Sequence, residues 1–350
     1  MTGDIQGFQE LIREAAAKKT PLNIRGGGTK AFYGRETTGD FFDTRGYAGI
    51  VDYEPTELVV TACCGTPLAD LECLLAQRGQ MLASEPPHFG DATIGGAVAT
   101  GLSGPRRATS GATRDFVLGV RVVDGRGQDL SFGGQVMKNV AGYDVSRLMV
   151  GSLGTLGVIA EVSLKVLPIP PASQTLVREV SETDAVVLMN EWAGKPLPIT
   201  ATCYTDGKLF VRLSGAGTAV AAAQAQIGGE SKHDDRPFWE SIREQQHEFF
   251  RGGEDLWRLS VPPTTPPLGL RATLIEWGGA QRWIRGNGDS LKIRQTVASA
   301  RGHVTLFRSS GVRETVFTPL SPALATIHRN LKQQFDPHGI FNPGRIYTDL

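Results

Sequence analysis

The chain has 350 residues, 40% hydrophobic and 21% charged, which is enough for two domains with ordinary apolar cores. Acidic and basic residues balance at 36 each, so overall charge gives no case for nucleic acid or an anionic membrane surface. The 43 glycines fall in short clusters without a period, which reads as functional loops and excludes a fibrous repeat.

Cysteine usage narrows the class further. Cys63, Cys64, Cys73 and Cys203 contain no Cys-x-x-Cys pair, so neither a zinc site nor a redox dithiol is indicated, and reduced thiols in a cytoplasmic protein are expected. No 18-residue apolar run occurs, and no basic stretch followed by an apolar run opens the chain. Neither a membrane span nor export is expected.

In chain order, Phe8, Leu11, Ile12 and Ala15 recur at helical spacing and predict a helix over Ile5–Lys18, ended by Pro21. Leu22–Arg25 reads as a short strand running into Gly26-Gly27-Gly28-Thr29-Lys30. A strand followed by glycines is the arrangement of a phosphate-binding turn, although the same glycines also serve to reverse a chain. The spacing matches neither Gly-x-x-x-x-Gly-Lys nor Gly-x-Gly-x-x-Gly, so no P-loop or Rossmann domain is supported. Glu57–Ala62 reads as a strand, and Thr66-Pro67 as the start of a helix with Leu68, Leu71, Leu74 and Leu75 buried and Gly79 at its end.

The stretch from Ser84 to Asp115, SEPPHFGDATIGGAVATGLSGPRRATSGATRD, carries too little apolar bulk for a core of its own. Two readings stand. Its glycines expose a row of N–H donors suited to a pyrophosphate, or Gly95, Gly96 and Ala97 form a small-residue surface where two elements touch. Beyond it, Asp124-Gly125-Arg126-Gly127 marks a hairpin between Val117–Val123 and Gln128–Phe132. Met137–Met149 reads as short helix and turn, and Leu156–Leu167 alternates as a half-buried strand closed by Pro168.

Pro168-Ile169-Pro170-Pro171 is the expected domain boundary. Strands then alternate with helices: strand Thr175–Val180, helix Asp184–Trp192, a hairpin at Asp206-Gly207, and helices over 218–227 and 237–250. Strands 256–261 and 272–277, a helix over 290–300 and the strand His303–Phe307 follow. This pattern suggests an α+β arrangement with a smaller antiparallel sheet under helices. A last helix places Leu324, Ile327, Leu331 and Phe335 on one stripe, expected to be buried. His247-Glu248 continues to no second histidine, so His-Glu-x-x-His metal chemistry is excluded and no metal is expected.

Three segments together are distinctive: GGGTK after a strand, the 91–115 segment, and GSLGTLGVIAEVSLKVLP from Gly151 to Pro168. In order and spacing they resemble the FAD-binding (PCMH-type) domain of the vanillyl-alcohol oxidase and D-lactate dehydrogenase flavoproteins, and FDPHGIFNPGRIY resembles that family's closing motif. Within it, PPHFGDATIGG, LSGPRR and FGGQVMKNVAGYDVSRLMVGSLGTLG are similar to the FAD-binding E subunits of bacterial glycolate oxidases. The resemblance is dense over 25–168 and 331–347 and thin between.

What the resemblance implies is an FAD-binding domain of two α+β subdomains over 1–171, a short cap domain of antiparallel sheet over 172–314 that covers the isoalloxazine ring, and a C-terminal segment, 315–350, returning to the FAD domain. Arg25, Gly26, Gly27, Gly28, Thr29 and Lys30, with Thr93, Ile94, Gly95 and Gly96, would hold the pyrophosphate by their backbone. Pro87, Thr100, Gly101, Gly104, Gly111 and Thr113 would line the flavin and ribityl chain. Gly157, Val158 and Ile159 would meet the adenine end, and Asn342 and Arg345 would reach the ring. Some relatives attach FAD through a histidine after the glycine turn; Thr29-Lys30 stand there instead, so FAD is expected to be non-covalent.

Catalytic relatives also carry a late Gly-Glu-His-Gly motif whose histidine assists oxidation of the hydroxyl. The comparable region holds only Gly302-His303-Val304-Thr305, so the base is unassigned, with His303 either a candidate or a structural residue. The resemblance thus implies the FAD-binding subunit of a complex that oxidises glycolate to glyoxylate, beside a paralogous FAD subunit and an iron–sulfur subunit. Four scattered cysteines cannot ligate a cluster, so any iron–sulfur centre belongs to a partner, and any membrane association comes through partners. A self-sufficient FAD-dependent 2-hydroxy-acid dehydrogenase and a structural subunit without flavin remain as alternatives.

Overall fold

A computed structural model of the chain describes residues 4–134, 144–232, 235–270, 273–286, 289–311 and 315–350. The chain divides into two compact units, one formed by 1–102, 112–168 and 319–350, the other by 103–111 and 169–318. The expected helix and turn over Met137–Met149 lies partly outside the described residues.

In the first unit, α1 (Ile5–Lys18) starts where the Asp4 side chain accepts from the Gly7 N–H at 2.7 Å, and it buries Ile5, Phe8, Ile12 and Ala15. β1 (Leu22–Arg25) pairs in parallel with β2 (Asp40–Asp43). β3 (Ile50–Glu54) and β4 (Val59–Cys63) follow, then α2 (Leu68–Ala76), whose Leu68, Leu71 and Leu75 are wholly buried. Each such side chain contributes about 1.5–3 kcal/mol of burial. The expected Thr66 cap is not made: its hydroxyl accepts from the Gly49 N–H at 2.9 Å and donates to Gly49 O at 3.0 Å, tying β3 to the start of α2.

The short β5 (Gln80–Met81) leads into the small-residue segment, where α3 (Ile94–Thr100) is capped by Thr93. α4 (Arg107–Ser110) belongs to the second unit. The chain then resumes in the first unit with α5 (Thr113–Phe116), β6 (Val117–Val123), β7 (Asp129–Gly133), α6 (Val145–Met149), β8 (Val158–Lys165) and β9 (Leu167–Pro168). Here β3, β4, β8, β6 and β7 form a five-stranded antiparallel sheet in that order. Residues of α2 and α3 pack with it in one core; α1 packs with Val123, Val158, Ala160 and Phe341 in another.

The second unit is built on an eight-stranded antiparallel sheet, wider than the first. Along the chain it comprises β10 (Ala172–Glu179), α7 (Glu182–Ala193), β11 (Ile199–Thr205), β12 (Lys208–Gly215), α8 (Gly217–Ile227), β13 (Glu230–Lys232), α9 (Arg236–Arg243), β14 (Leu256–Ser260), β15 (Thr273–Glu276), β16 (Gln281–Arg285), α10 (Ser290–Ser299) and β17 (His303–Arg308). Leu209, Val211 and Leu213 alternate onto the face covered by α7 and α8. Phe210 and Arg212 point the other way, where Phe210 stacks on Phe238 at 4.0 Å and Arg212 lies 5.0 Å from the Trp239 ring. The single helix expected over 237–250 is broken: α9 ends at Arg243, Gln245 takes φ 52°, and a 3₁₀ turn spans Glu248–Phe250.

α11 (Pro322–Phe335) returns to the first unit. Its expected stripe is not a buried one, since Leu324 is 48% and Ile327 52% exposed. What secures its C-terminus is polar. Lys332 Nζ donates at 2.8 Å to Thr155 O, Phe341 O and Asp336 Oδ2, while Asp336 accepts from the N–H groups of Ile340 and Phe341.

Candidate functional site

In the first unit an open cleft with about 840 Å³ of empty space lies where the end of β1, the start of α3 and the closing segment meet. Its walls include Arg25 and the Gly26–Lys30 turn, Thr93, Gly95, Gly96 and Thr100 on α3, Gly157 and Ile159 at β8, and Asn342 and Arg345. These are distant in sequence and were each expected at the cofactor; the fold brings them together. Pro87, Ile94, Gly101, Gly104, Gly111, Thr113 and Val158 do not line it. Pro87 and Ile94 are buried, Gly101 caps α3 at φ 62°, and Thr113 donates to Leu102 O at 2.9 Å. Val158 sits in the α1 core, and Gly104 and Gly111 belong to the second unit.

The two glycine segments play different parts. On α3, the Ile94 N–H donates to Thr66 O and the Gly95 N–H to Cys64 O, each at 2.9 Å, and the Gly96 N–H reaches Thr93 Oγ1 at 3.3 Å. Those donors are already engaged within the chain. A Cβ on Gly95 would stand 2.6 Å from that of Cys64, so this glycine lets α3 lie against the end of β4. The small-residue packing reading therefore holds for Gly95.

The first turn is open. Among the described residues, no acceptor meets the backbone N–H groups of Gly26, Gly27, Gly28 or Thr29. Gly28 has φ 69° and nothing within 4 Å of a Cβ position, whereas a Cβ on Gly27 would strike the Asp91 carbonyl and one on Gly26 the Thr93 hydroxyl. A row of unengaged N–H groups, approachable without side-chain obstruction, is a nest for an anion. Lys30 is 6% exposed and donates to His88 O at 3.1 Å, bringing a buried cation beside the turn. The donor set fits a pyrophosphate.

Two C-terminal side chains build the walls. Asn342 Oδ1 accepts from the Ile24 N–H at 2.8 Å, and its Nδ2 donates to Leu153 O at 2.7 Å. The Arg345 guanidinium donates to the carbonyls of Arg35 at 2.8 Å, Ala31 at 3.0 Å and Lys30 at 3.3 Å. Both side chains thus hold the backbone on either side of the glycine turn. Sequence reasoning missed Asn23, Thr44, Cys64, Leu153 and Gly154 as cleft walls. Gly154 had a signal in the sequence, the three-residue spacing of Gly151, Gly154 and Gly157, and a Cβ there would stand 2.7 Å from Asn342 Nδ2. Burial pushes the Cys64 thiol up to about 12, so this cleft residue is a neutral, unreactive group.

Residues 2–133 match the FAD binding domain family. End to end, 347 residues are 50% identical to the glycolate oxidase subunit GlcE of Escherichia coli (strain K12), covering 99% of this chain and 98% of that one. The chain belongs to the GlcE family. Its domain has the FAD-binding (PCMH) fold, and FAD is the cofactor of that domain.

The GlcE family shares this domain with more distant relatives. Glycolate oxidase subunit GlcD of Bacillus subtilis (strain 168) is 32% identical over 208 residues, 58% of this chain and 44% of the relative. The D-lactate dehydrogenase of Anaerostipes hadrus is 38% identical over 130 residues, 37% of this chain and 27% of the relative. In each the chain spans less than half of the relative's length. An alkyldihydroxyacetonephosphate synthase structure superposes with a TM-score of 0.68 at 15% identity, over 96% of this chain and 74% of that one, and shares the fold.

Elsewhere, His88 Nε2 lies 3.0 Å from Glu72 Oε2. His303 opens β17 opposite Ser260. Although the residue is exposed, desolvation of its ring, then the nearby charge of Arg258, push its imidazole below the usual 6.5. Among the described residues no group of three His, Cys, Asp or Glu side chains is arranged to hold a metal, and no helix is long and apolar enough to cross a membrane.

Proposed function

We propose that this chain is the FAD-binding subunit of a glycolate oxidase complex that oxidises glycolate to glyoxylate, with a paralogous flavin subunit and an iron–sulfur subunit as partners. The observation that carries the reading is the end-to-end 50% identity to a GlcE subunit, joined to a glycine turn whose N–H groups face the cleft unengaged. FAD supplies a two-electron acceptor for the hydride released when an alcohol becomes a carbonyl. The chain's own residues do the holding. Gly26–Thr29 offer their N–H groups to the pyrophosphate, Lys30 supplies positive charge, and Asn342 and Arg345 keep both sides of the turn in place.

Non-covalent FAD is supported by Thr29 and Lys30 after the turn, where no imidazole or thiol stands. An iron–sulfur partner is supported by the thiols: Cys63, Cys64 and Cys203 are buried, and burial raises the pKa of each, which disfavours the thiolate a cluster requires. Free cysteines also support a reducing, cytoplasmic setting, with membrane association through partners. In this reading the first unit binds FAD and the second corresponds to the cap.

A second reading, a self-sufficient 2-hydroxy-acid dehydrogenase, is favoured by one observation: desolvation, then the charge of Arg258, lowers the pKa of the His303 imidazole, which favours the unprotonated form that a general base uses. The visible spectrum of the purified chain, before and after anaerobic glycolate, separates these readings. Flavin bands that persist until partner subunits are added support the complex. Bands that bleach with the chain alone support the second reading. A colourless protein that takes up no added FAD overturns both and leaves a structural subunit.

A further inference from the structure

In the parallel pair of β1 and β2, Asn23 stands opposite Phe41 and Arg25 opposite Asp43. Directly opposed residues of neighbouring strands project to one face. Asn23, Ile24 and Arg25 all line the cleft, and Phe41 projects on the face shared by Asn23 and Arg25. The ring is 56% exposed, while its neighbour Phe42, on the opposite face, is 3% exposed. Phe41 is also steadied: the Arg25 guanidinium carbon lies 5.9 Å from the ring centroid, and Arg25 Nε donates to Asn23 Oδ1 at 3.1 Å. A large aromatic face thus stands in water beside Arg25, a wall of the cleft.

The position of Arg25 along the cleft can be traced through hydrogen bonds. Thr44, one residue past β2, donates to Arg25 O from its N–H at 2.9 Å and its hydroxyl at 3.2 Å. Cys64 Sγ approaches Thr44 O at 3.9 Å, and the Cys64 N–H donates to Ala160 O at 2.7 Å, next to Ile159. Arg25, whose guanidinium lies beside the Phe41 ring, is thus tied to the wall of the cleft that holds Thr44, Cys64 and Ile159.

We propose that Phe41 is a stacking platform for the adenine ring of FAD, steadied by Arg25. This rests on the FAD-binding reading above. Stacking on an aromatic ring suits adenine because its recognition needs only a π-face and no directional partner. The exposure of the ring decides which end of the dinucleotide it serves. A reacting flavin has to be shielded from water, whereas the adenine end takes no part in the reaction and tolerates a platform open to solvent.

The test is titration of the apoprotein with FAD and, separately, with FMN, which lacks the adenosine moiety, following flavin fluorescence. Phe41→Ala is expected to weaken FAD binding about five- to tenfold, the lower part of the range for a base on an aromatic, and to leave FMN affinity unchanged. Phe41→Trp, which keeps a π-face, is expected to retain FAD affinity, and far-UV circular dichroism should match for all variants. Unchanged FAD affinity in Phe41→Ala overturns the proposal, and so does an equal loss for FAD and FMN, which would put the ring under the flavin or in a structural role. A wild-type protein that binds neither nucleotide fails at the earlier step, overturning the FAD-binding reading itself.

Discussion

The N–H of Ile24 donates to the side-chain oxygen of Asn342 at 2.8 Å, across 318 positions of sequence. Asn342 Nδ2 in turn donates to Leu153 O, so one side chain, 4% exposed, ties two walls of the cleft. Asn342 takes φ 39°, a left-handed conformation that asparagine accepts more readily than most residues.

Asn342→Ala is therefore expected to destabilise the protein by about 2–4 kcal/mol, because a buried donor and a buried acceptor lose their partners and the new residue is strained at positive φ. FAD affinity should fall with it. Thermal unfolding and FAD titration check both; a variant with wild-type melting and binding would remove the clasp role.

Neighbouring glycines should answer differently to a methyl group. Gly28→Ala meets no atom and carries only the left-handed strain, about 1–2 kcal/mol. Gly27→Ala drives a Cβ into the Asp91 carbonyl, backbone that cannot rotate aside. We expect Gly28→Ala to fold and bind FAD less than tenfold more weakly, and Gly27→Ala to lose more than tenfold or fail to fold. The reverse order in a titration would show that the turn is not held against residue 91.

Acid should destabilise the second unit through His247. Burial, above all, holds its imidazole below the usual 6.5, and its Nδ1 accepts from the Phe249 N–H at 3.2 Å, a bond that protonation at Nδ1 removes. The unfolded chain binds the proton more tightly, so stability present at pH 7.5 is lost as pH falls below 6.5 toward the lowered folded-state value. His247→Asn keeps an acceptor and does not titrate. Urea unfolding at pH 7.5 and 5.5 should show a smaller difference for His247→Asn than for wild type.

Lys332→Met should be among the costliest substitutions outside the apolar cores. Burial lowers the Lys332 ammonium below the usual 10.5 against the pull of Asp336, and three acceptors converge on it. Methionine keeps the stem but removes the charge partner of the buried Asp336 carboxylate and the donor to two carbonyls, a loss of about 3–5 kcal/mol. A melting temperature within a degree of wild type would contradict this.

Local chemistry was legible wherever a short stretch settles its own conformation. The helix over Ile5–Lys18 matches to the residue because its stripe and Pro21 both lie in the local sequence. The strand running into Gly26–Lys30 was readable for the same reason. Two other expectations failed on contacts made elsewhere. Whether the N–H groups of α3 are open depends on Cys64 and Thr66, some thirty residues earlier, which turn out to accept from them. Whether the stripe of α11 is buried depends on what packs over it, and Leu324 and Ile327 stay exposed.

From the residues alone come the type of domain, the glycine turn suited to a pyrophosphate and the family resemblance, because motif chemistry and backbone conformation are local properties. Only the tertiary structure decided that the open donors lie on Gly26–Thr29, that Gly95 serves packing, that Asn342 and Arg345 act on backbone carbonyls and amides, and that 103–111 belongs to the second unit. A hydrogen-bonding group in a sequence carries its capacity but not its partner. The partner is set by which distant backbone the folded chain brings within 3 Å, and no periodicity or spacing records that.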